Sequence, residues 1–351
     1  MQSHSTVFIF GIILLPFVAL ASPDELSNPR DQECVQIPKV VTVEQVTEPV
    51  QHAEGPHWNY QSQTLIFVDI HAQRIYHLNT VTGKLTFAYI ANGPVGFAIP
   101  VESSPDQFIA GSGTDLVLVT WDSETNSSNP QIELLFTVDR DRNGTRFNDA
   151  KCDSHGRLWA GTMGLESSAG DIVLHQASLY RITSDLVPER VIVPVSLSNG
   201  LTWNHGNNKF YYIDTPTHQI AAYDFDANTG NISNKRIAFD LEKHNIGGHP
   251  DGMTIDTNDN LWIAVYGGRH ILNIDPVKGR LLRAIEIPAD KVTSLMFGSP
   301  SMDILYVTTS QYGMTDAEIT TQPRAGCVFA VKGLGVKGYP ANTFTRNGTI
   351  S

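Results

Sequence analysis

Four oxygen-bearing side chains stand at matching positions in segments that share one pattern. Glu54, Asn148, Asn199 and Asp251 each open a short run of alternating apolar residues, and a polar turn and a second apolar run follow. Two carboxylates and two amide carbonyls are hard oxygens suited to Ca²⁺, Mg²⁺ or Mn²⁺, with Zn²⁺ as a further choice. Each residue alone is better explained as a turn former. The set in register favours a metal site, and the glycine after Glu54, Asn199 and Asp251 would allow tight backbone approach around an ion.

The elements that must position these residues recur along the chain. Comparable segments start at residues 54, 96, 148, 199, 251 and 293, and each interval holds about four short antiparallel strands. A period of roughly 40 to 50 residues is typical of a β-propeller. We therefore predict an all-β fold over residues 40–340, a six-bladed β-propeller with four antiparallel strands per blade. An open β-solenoid or a sandwich is the alternative. A strand at Val40–Val46 is expected to close the ring by joining the last unit near Cys327–Val331.

The N-terminal segment and the glycosylation sequons predict export from the cell. Residues 1–21 have the apolar run and the small-residue ending (Ala19-Leu20-Ala21) of a secretory signal peptide. Residues 22–39 form a polar leader and residues 341–351 a C-terminal tail. Four Asn-X-Ser/Thr sequons agree with a secreted, extracellular glycoprotein, and they lie at Asn126, Asn143, Asn231 and Asn347.

Composition limits the partners. The chain has 351 residues and a net charge of -12, which argues against nucleic acid and acidic membrane surfaces because both need basic patches. The apolar N-terminal run is too short for a comfortable membrane span. We expect a small-molecule partner and leave the oligomeric state open. The 3 cysteines permit at most one internal disulfide, and Cys34 with Cys327 is the expected pair if the sheet closes on itself.

Six short motifs bring a family into view. Between about residues 40 and 340 the chain resembles the regucalcin, gluconolactonase and luciferin-regenerating enzyme family, and in detail the insect-like branch. The motifs are Glu54-Gly55-Pro56-His57-Trp58, Arg146-Phe147-Asn148-Asp149, Ala160-Gly161-Thr162-Met163, Ser198-Asn199-Gly200-Leu201, Pro250-Asp251-Gly252-Met253 and Gly333-Leu334-Gly335-Val336-Lys337-Gly338.

The resemblance implies a site and an activity. It implies one divalent metal ion, Ca²⁺ before Zn²⁺, Mn²⁺ or Mg²⁺, at the mouth of the central channel. By position, Glu54, Asn199 and Asp251 match the family's metal ligands, and three further residues match its substrate contacts: Arg146, Asn148 and Glu166. The leading hypothesis is a metal-dependent lactone hydrolase with Asp251 as general base. The alternatives are a secreted calcium- or metal-binding protein without turnover, and processing of a heterocyclic substrate as by luciferin-regenerating enzymes.

Overall fold

The computed structural model describes residues 40–167 and 170–346, and the regular structure within them is almost entirely β-strand. The predicted signal peptide and leader, Cys34 and Asn347 lie outside the described residues. The strands are β1 (Thr42–Gln45), β2 (Ala53–Asn59), β3 (Thr64–Asp69), β4 (Arg74–Asn79), β5 (Leu85–Tyr89), β6 (Val95–Val101), β7 (Ser104–Ser112), β8 (Asp115–Thr120), β9 (Gln131–Thr137), β10 (Arg146–Cys152), β11 (Leu158–Met163), β12 (Ala177–Ile182), β13 (Pro188–Val195), β14 (Ser198–Trp203), β15 (Lys209–Asp214), β16 (Gln219–Asp226), β17 (Asn231–Asp240), β18 (His249–Ile255), β19 (Leu261–Tyr266), β20 (His270–Asp275), β21 (Arg280–Glu286), β22 (Lys291–Gly298), β23 (Ile304–Ser310) and β24 (Phe329–Lys332).

Helical structure is confined to short connections. One α-helix, α1 (Asp316–Thr321), follows β23, and single 3₁₀ turns occupy Thr215–Thr217 and Glu242–His244. Over residues 40–167 and 170–346 no helix has the length and apolar character needed to cross a membrane.

The strands form antiparallel sheets in a propeller-like arrangement, which confirms the all-β prediction. Four sheets have four strands each, taken in chain order: β2–β5, β6–β9, β10–β13 and β14–β17. The other eight strands form one sheet, in which β19 meets β22 through the pair Tyr266 and Lys291. Four separate four-stranded units are therefore confirmed, whereas the expected six are not, because the remaining eight strands share one sheet.

The first strand closes the last sheet. Strand β1 pairs antiparallel with β24, with Thr42 opposite Lys332 and Gln45 opposite Phe329. This confirms the expected closure. The first and last units also pack together through Trp58 and Tyr306, whose rings stack with centroids 5.4 Å apart. Stacked aromatic pairs of this kind add to the burial of apolar surface.

Close backbone contact between neighbouring inner strands, which are β2, β6, β10, β14, β18 and β22, explains two of the glycines that follow site residues, Gly200 and Gly252. A Cβ built on Gly200 would lie 2.7 Å from the carbonyl oxygen of Asp251, and one on Gly252 would lie 2.0 Å from the Ser294 Oγ. A side chain at either position would push the strands apart. From the sequence we expect these glycines to let the backbone approach an ion. In this structure Gly200 and Gly252 instead let one inner strand approach the next.

A buried carboxylate ties each of two turns to a tryptophan. Asp256 accepts hydrogen bonds from the backbone N–H groups two and four residues further on (2.9 and 3.1 Å) and from Trp262 Nε1 at 2.9 Å. Asp153 repeats the arrangement with Trp159, whose Nε1 lies 3.0 Å from a carboxylate oxygen. The carboxylate thus fixes the turn between an inner strand and the next strand. It also accepts a hydrogen bond from the buried indole N–H, which would otherwise have no partner.

We expect Asp256→Ala to lower the free energy of unfolding by about 3 kcal/mol, because the change leaves the buried indole N–H of Trp262 and two turn N–H groups without their acceptor. Urea denaturation followed by tryptophan fluorescence measures the loss. Asn258→Ala, in the same turn but with an exposed side chain, is the control and should change stability by less than about 0.5 kcal/mol. Equal stabilities for the two variants would contradict the structural role of Asp256.

The residues after β24 form a C-terminal strap, residues 333–346, across the ends of several inner strands. The strap forms hydrogen bonds with different parts of the ring. The Lys337 carbonyl of the strap accepts from Thr257 N at 2.8 Å, and Phe344 N of the strap donates to the Pro100 carbonyl at 3.0 Å. The Phe344 side chain is fully buried. Part of the predicted tail therefore packs on the ring, and the domain boundary at residue 340 stays a prediction.

The described cysteines are both buried thiols. Cys152 and Cys327 are free in the structure. Because Cys34 lies outside the described residues, its pairing with Cys327 stays a prediction.

Candidate functional site

Each site-bearing inner strand has an irregularity in its first half. In β10, β14 and β18 two residues oppose a single residue of the next strand, and they begin with Asn148, Asn199 and Asp251 respectively. In β2 the same bulge follows directly after Glu54. A β-bulge bends the strand and turns side chains out of the regular alternation. The bulges thereby help to direct these four polar side chains toward one region.

The other two inner strands, β6 and β22, have the same one-residue register shift, at Gly96 and Thr293. Thr293 is buried and donates its hydroxyl to the Ala53 carbonyl oxygen at 2.6 Å. Thr293 therefore holds β22 to β2, and neither position supplies a site oxygen.

Glu54 and Asp251 form a buried carboxyl pair. Both side chains are at least nine-tenths buried, and each carboxyl influences the protonation of the other. Burial, followed by the nearby Asp149 carboxylate, raises the pKa of Glu54 to about 8. Burial and then the charge of Glu54 raise the pKa of Asp251 well above its ordinary value. Two carboxyls so close together cannot both ionise cheaply without a cation.

A chain of hydrogen bonds fixes the two amides. Asn148 Nδ2 donates to Asn199 Oδ1 at 3.0 Å and to the Ser198 carbonyl at 2.9 Å. Asn199 Nδ2 in turn donates to Thr215 Oγ1 at 2.8 Å, and the threonine hydroxyl donates to the Pro250 carbonyl at 2.9 Å. Each amide therefore has a defined orientation. The same bonds join the three neighbouring inner strands β10, β14 and β18, and so fix the position of Asp251 relative to both amides.

Arg146 links this cluster to an open cavity. Its Nη1 donates to Asn148 Oδ1 at 2.9 Å and to the Phe147 carbonyl at 3.0 Å. Burial lowers the pKa of Arg146, and the charges of Glu166, Glu54 and, less strongly, Asp251 oppose that change. Arg146 and Glu166 also line a cavity of about 380 Å³. We name it the mouth cavity; it is lined by His71, Pro94, Gly113, Gly144, Thr145, Arg146, Gly164, Leu165, Glu166, Ser167 and Tyr312.

The structure thus brings the predicted residues into one region. Their contacts and mutual electrostatic influence join the residues that the sequence singled out, namely Glu54, Arg146, Asn148, Glu166, Asn199 and Asp251. The roles assigned to them stay predictions, since geometry alone does not assign a reaction step.

Two ionisable groups, the buried Asp149 and the partly buried Lys151, were missed from the sequence. Burial raises the pKa of Asp149, which accepts a hydrogen bond from the Ala150 N–H at 2.7 Å. Burial lowers the pKa of Lys151 to about 8, opposed by the charges of Asp149 and Glu54. The Lys151 ammonium donates to the carbonyl oxygen of Met253 across the channel. Both lie within three residues after Asn148 on β10, and polar residues so close together inside a strand were the available signal.

The donor set fits a hard divalent cation. Three buried carboxyls (Glu54, Asp149 and Asp251) interact with two partly buried cations, Arg146 and Lys151, so full ionisation leaves one negative charge uncompensated among these groups. Carboxylate and amide oxygens are the ligands that such ions prefer. Among the described residues no group of three or more His, Cys, Asp and Glu side chains is arranged to hold a metal. The amide oxygen of Asn199 would therefore have to be the third ligand.

The antiparallel sheets have a propeller-like arrangement, and polar residues of several inner strands meet at one place. This combination defines the class: a ring-shaped β protein with a central site. The chain belongs to the family described as SMP-30/Gluconolactonase/LRE-like region, which matches residues 52–311. This confirms the family resemblance seen in the motifs.

Individual relatives of known sequence or structure agree with this family assignment. Regucalcin of Sus scrofa is 36% identical over 288 residues, which cover 82% of this chain and 92% of the relative. A luciferin-regenerating enzyme superposes with a TM-score of 0.81 at 35% identity, covering 87% of this chain and all of the other. A calcium-binding regucalcin from Agrobacterium tumefaciens has a TM-score of 0.76 at 23% identity, covering 86% of this chain and 97% of the other, and supports the fold alone.

Proposed function

We propose that this chain is a lactone hydrolase that uses one divalent metal ion. The observation that carries the proposal is the convergence of the Glu54, Asn199 and Asp251 side chains beside Arg146, in a family whose description includes gluconolactonase. Glu54, Asn199 and Asp251 would hold the ion, with Ca²⁺ the first choice and Zn²⁺, Mn²⁺ or Mg²⁺ the alternatives. When bound, such an ion supplies Lewis-acid polarisation of the lactone carbonyl and compensates the oxyanion.

The protein residues supply the proton transfers and the orientation. Asp251 accepts a proton from the attacking water as the water oxygen bonds to the carbonyl carbon. The ring C–O bond then breaks, and the proton passes to the leaving oxygen, so that a hydroxy acid results. Arg146 and Asn148 orient a hydroxyl or carboxylate of the substrate, since a guanidinium donates in a fixed fork. Glu166, which lines the mouth cavity together with Arg146, contacts the substrate there.

A lactone panel run against a metal panel tests the proposal. Purified protein is stripped with a chelator, loaded with Ca²⁺, Mn²⁺, Zn²⁺ or Mg²⁺, and assayed with sugar and aryl lactones for acid release. We expect hydrolysis with at least one metal and none after stripping. Failure to open any lactone with any of the four metals would refute the proposed activity.

A second candidate is a metal-binding protein without turnover. It is supported by the similarity to regucalcin and by a site with two carboxylate ligands, which suits a structural ion as well as a catalytic one. A melting temperature that rises with calcium but does not respond to lactones would favour it. The luciferin-regenerating relative supports a third candidate, processing of a heterocyclic substrate.

We also propose that the eight-stranded sheet comprises two blades, which would give the six of the sequence prediction. Support comes from the single residue pair, Tyr266 and Lys291, that links its halves among the described strands. Secretion and glycosylation are proposed from the sequence. The side chains of Asn126, Asn143 and Asn231 are exposed, as a glycan requires. Mass spectrometry of secreted protein, with and without glycosidase, tests signal cleavage and sequon occupancy.

A further inference from the structure

Two aromatic rings from distant parts of the chain stack at the mouth cavity. His71, in the turn between β3 and β4, lies against Tyr312, which follows β23, with ring centroids 3.5 Å apart and planes 10° from parallel. Both residues line the cavity that contains Arg146 and Glu166. His52 stands behind the pair, with its ring 5.2 Å from His71 and 5.9 Å from Tyr312. We call the His71–Tyr312 pair the aromatic wall.

The backbone on both sides of the wall is held in place. The buried carboxylate of Asp69 accepts from the backbone N–H groups of Gln51 at 2.7 Å, His52 at 3.1 Å and Ala72 at 3.2 Å. The turn that carries His71 is therefore fixed against the start of the first inner strand.

On the other side, Tyr312 N donates to Ser310 Oγ at 3.0 Å, and the Lys291 ammonium donates to the Tyr312 carbonyl. Stacking surfaces contribute most to affinity when they are preorganised, because little rotamer freedom is lost on binding. The wall meets this condition.

The wall presents a neutral imidazole. Burial lowers the pKa of His71 to about 4, and the positive charge of Arg146 adds to this effect. Among the described residues His71 Nε2 is buried without a hydrogen-bond partner. The wall therefore offers flat ring surface, with one imidazole nitrogen that a ligand could still bond.

The mouth cavity thus has two chemically different parts. Arg146 and Glu166 provide charge beside the Glu54 and Asp251 carboxyls. The aromatic wall, Pro94 and the half-exposed Leu165 provide apolar surface in the same cavity. A polyhydroxylated ring placed against this apolar part would have few partners for its hydroxyls, which costs free energy. A flat aromatic ring would gain stacking there.

We propose that the aromatic wall binds the aromatic ring of the substrate and that this chain prefers aryl-fused lactones to sugar lactones. The inference rests on the proposed lactone hydrolysis for its catalytic readout. His71 and Tyr312 are then specificity-determining residues, which contact the part of the substrate that does not react, while Arg146 and Asp251 act on the lactone group.

The test compares two lactones of similar ring size on variants of the wall. Initial rates are measured with dihydrocoumarin and with D-glucono-1,5-lactone for the wild type, Tyr312→Ala, Tyr312→Leu and Tyr312→Phe. We expect Tyr312→Ala and Tyr312→Leu to lower kcat/KM for dihydrocoumarin about 10-fold, mainly through KM, with less than about 2-fold change for the sugar lactone. Tyr312→Phe keeps the ring and should retain the wild-type preference. Tyr89→Ala, an exposed tyrosine on β5, is the control.

Equal losses on both lactones, or no loss on dihydrocoumarin, would overturn the inference. A binding measurement separates this failure from failure of the proposed function. Calorimetry with coumarin on the wild type and on Tyr312→Leu needs no turnover, and circular dichroism checks that each variant is folded. Weaker coumarin binding by Tyr312→Leu supports the wall even if no lactone is hydrolysed. Absence of coumarin binding to the wild type, or equal binding by both proteins, counts against it in either case.

Discussion

Asp251→Asn is expected to lower kcat/KM for lactone hydrolysis by about 1,000-fold, within the range that a positioned general base contributes. The substitution keeps the size of the side chain at a position that is at least nine-tenths buried. It removes both the proton acceptor for the attacking water and one of the two carboxylates of the proposed metal set. Rates with and without saturating metal, measured alongside the melting temperature, separate loss of chemistry from loss of fold.

The matched control for this result is Asp106→Asn, the same chemical change on an exposed residue of β7. It should leave the rate within about 2-fold of the wild type, as surface substitutions usually do. If Asp251→Asn retained a wild-type rate with metal present, Asp251 would be neither the base nor an essential ligand. The proposed roles would then have to move to Glu54 or Asp149.

The second large effect is expected in stability. Calcium at about 100 times its Kd should raise the melting temperature of the wild type by about 5 °C, since such binding is worth about 2.7 kcal/mol. Glu54→Gln should abolish the calcium shift, because it removes one carboxylate ligand. In excess chelator the same variant should melt no lower than the wild type. The change removes one member of a buried carboxyl pair whose charges repel.

The metal-free protein also gives a pH signature. The folded-state pKa of Glu54 is raised to about 8, above its ordinary value of 4.5, so the folded state holds a proton that the unfolded state releases. Stability from this group is fully present below pH 4.5 and is lost as pH rises through about 8. Thermal melts in chelator between pH 5 and 8 should show this decline in the wild type and a smaller one in Glu54→Gln. A calcium shift that survives Glu54→Gln would exclude Glu54 as a ligand.

Much of the frame of the site could be predicted from the sequence, because it repeats. The six predicted starts all fall within the first three residues of inner strands β2, β6, β10, β14, β18 and β22. The bulges could not be predicted in the same way. Where a strand takes up an extra residue depends on the register of two paired strands, and a single strand's pattern of apolar residues does not contain that information. The strands with site oxygens differ from β6 and β22 in the type of residue at this place, since β6 has Gly96 and β22 has Thr293.

The aromatic wall was missed for a different reason. His71 and Tyr312 lie in connections between strands, where composition indicates only a turn, and they meet because the first and last units are neighbours in the ring. Asp256 was missed because a polar residue before a turn is ordinary. Its bond to Trp262 becomes evident only when the indole is seen to be buried. Sequence periodicity therefore predicts strands well, while contacts between connections require the closed fold.

The pairing of β1 with β24 has a consequence for how the protein is made on the ribosome. Thr42 emerges first, but its partner Lys332 is translated 290 residues later (332 − 42). Until then β1 has no partner, and the outer edge of β23 stays uncovered. Domains form largely in order as the chain emerges, and contacts between distant residues come last. The nascent chain therefore carries β1 without a strand partner through most of elongation, and β1 is incorporated into a sheet only when β24 has been made.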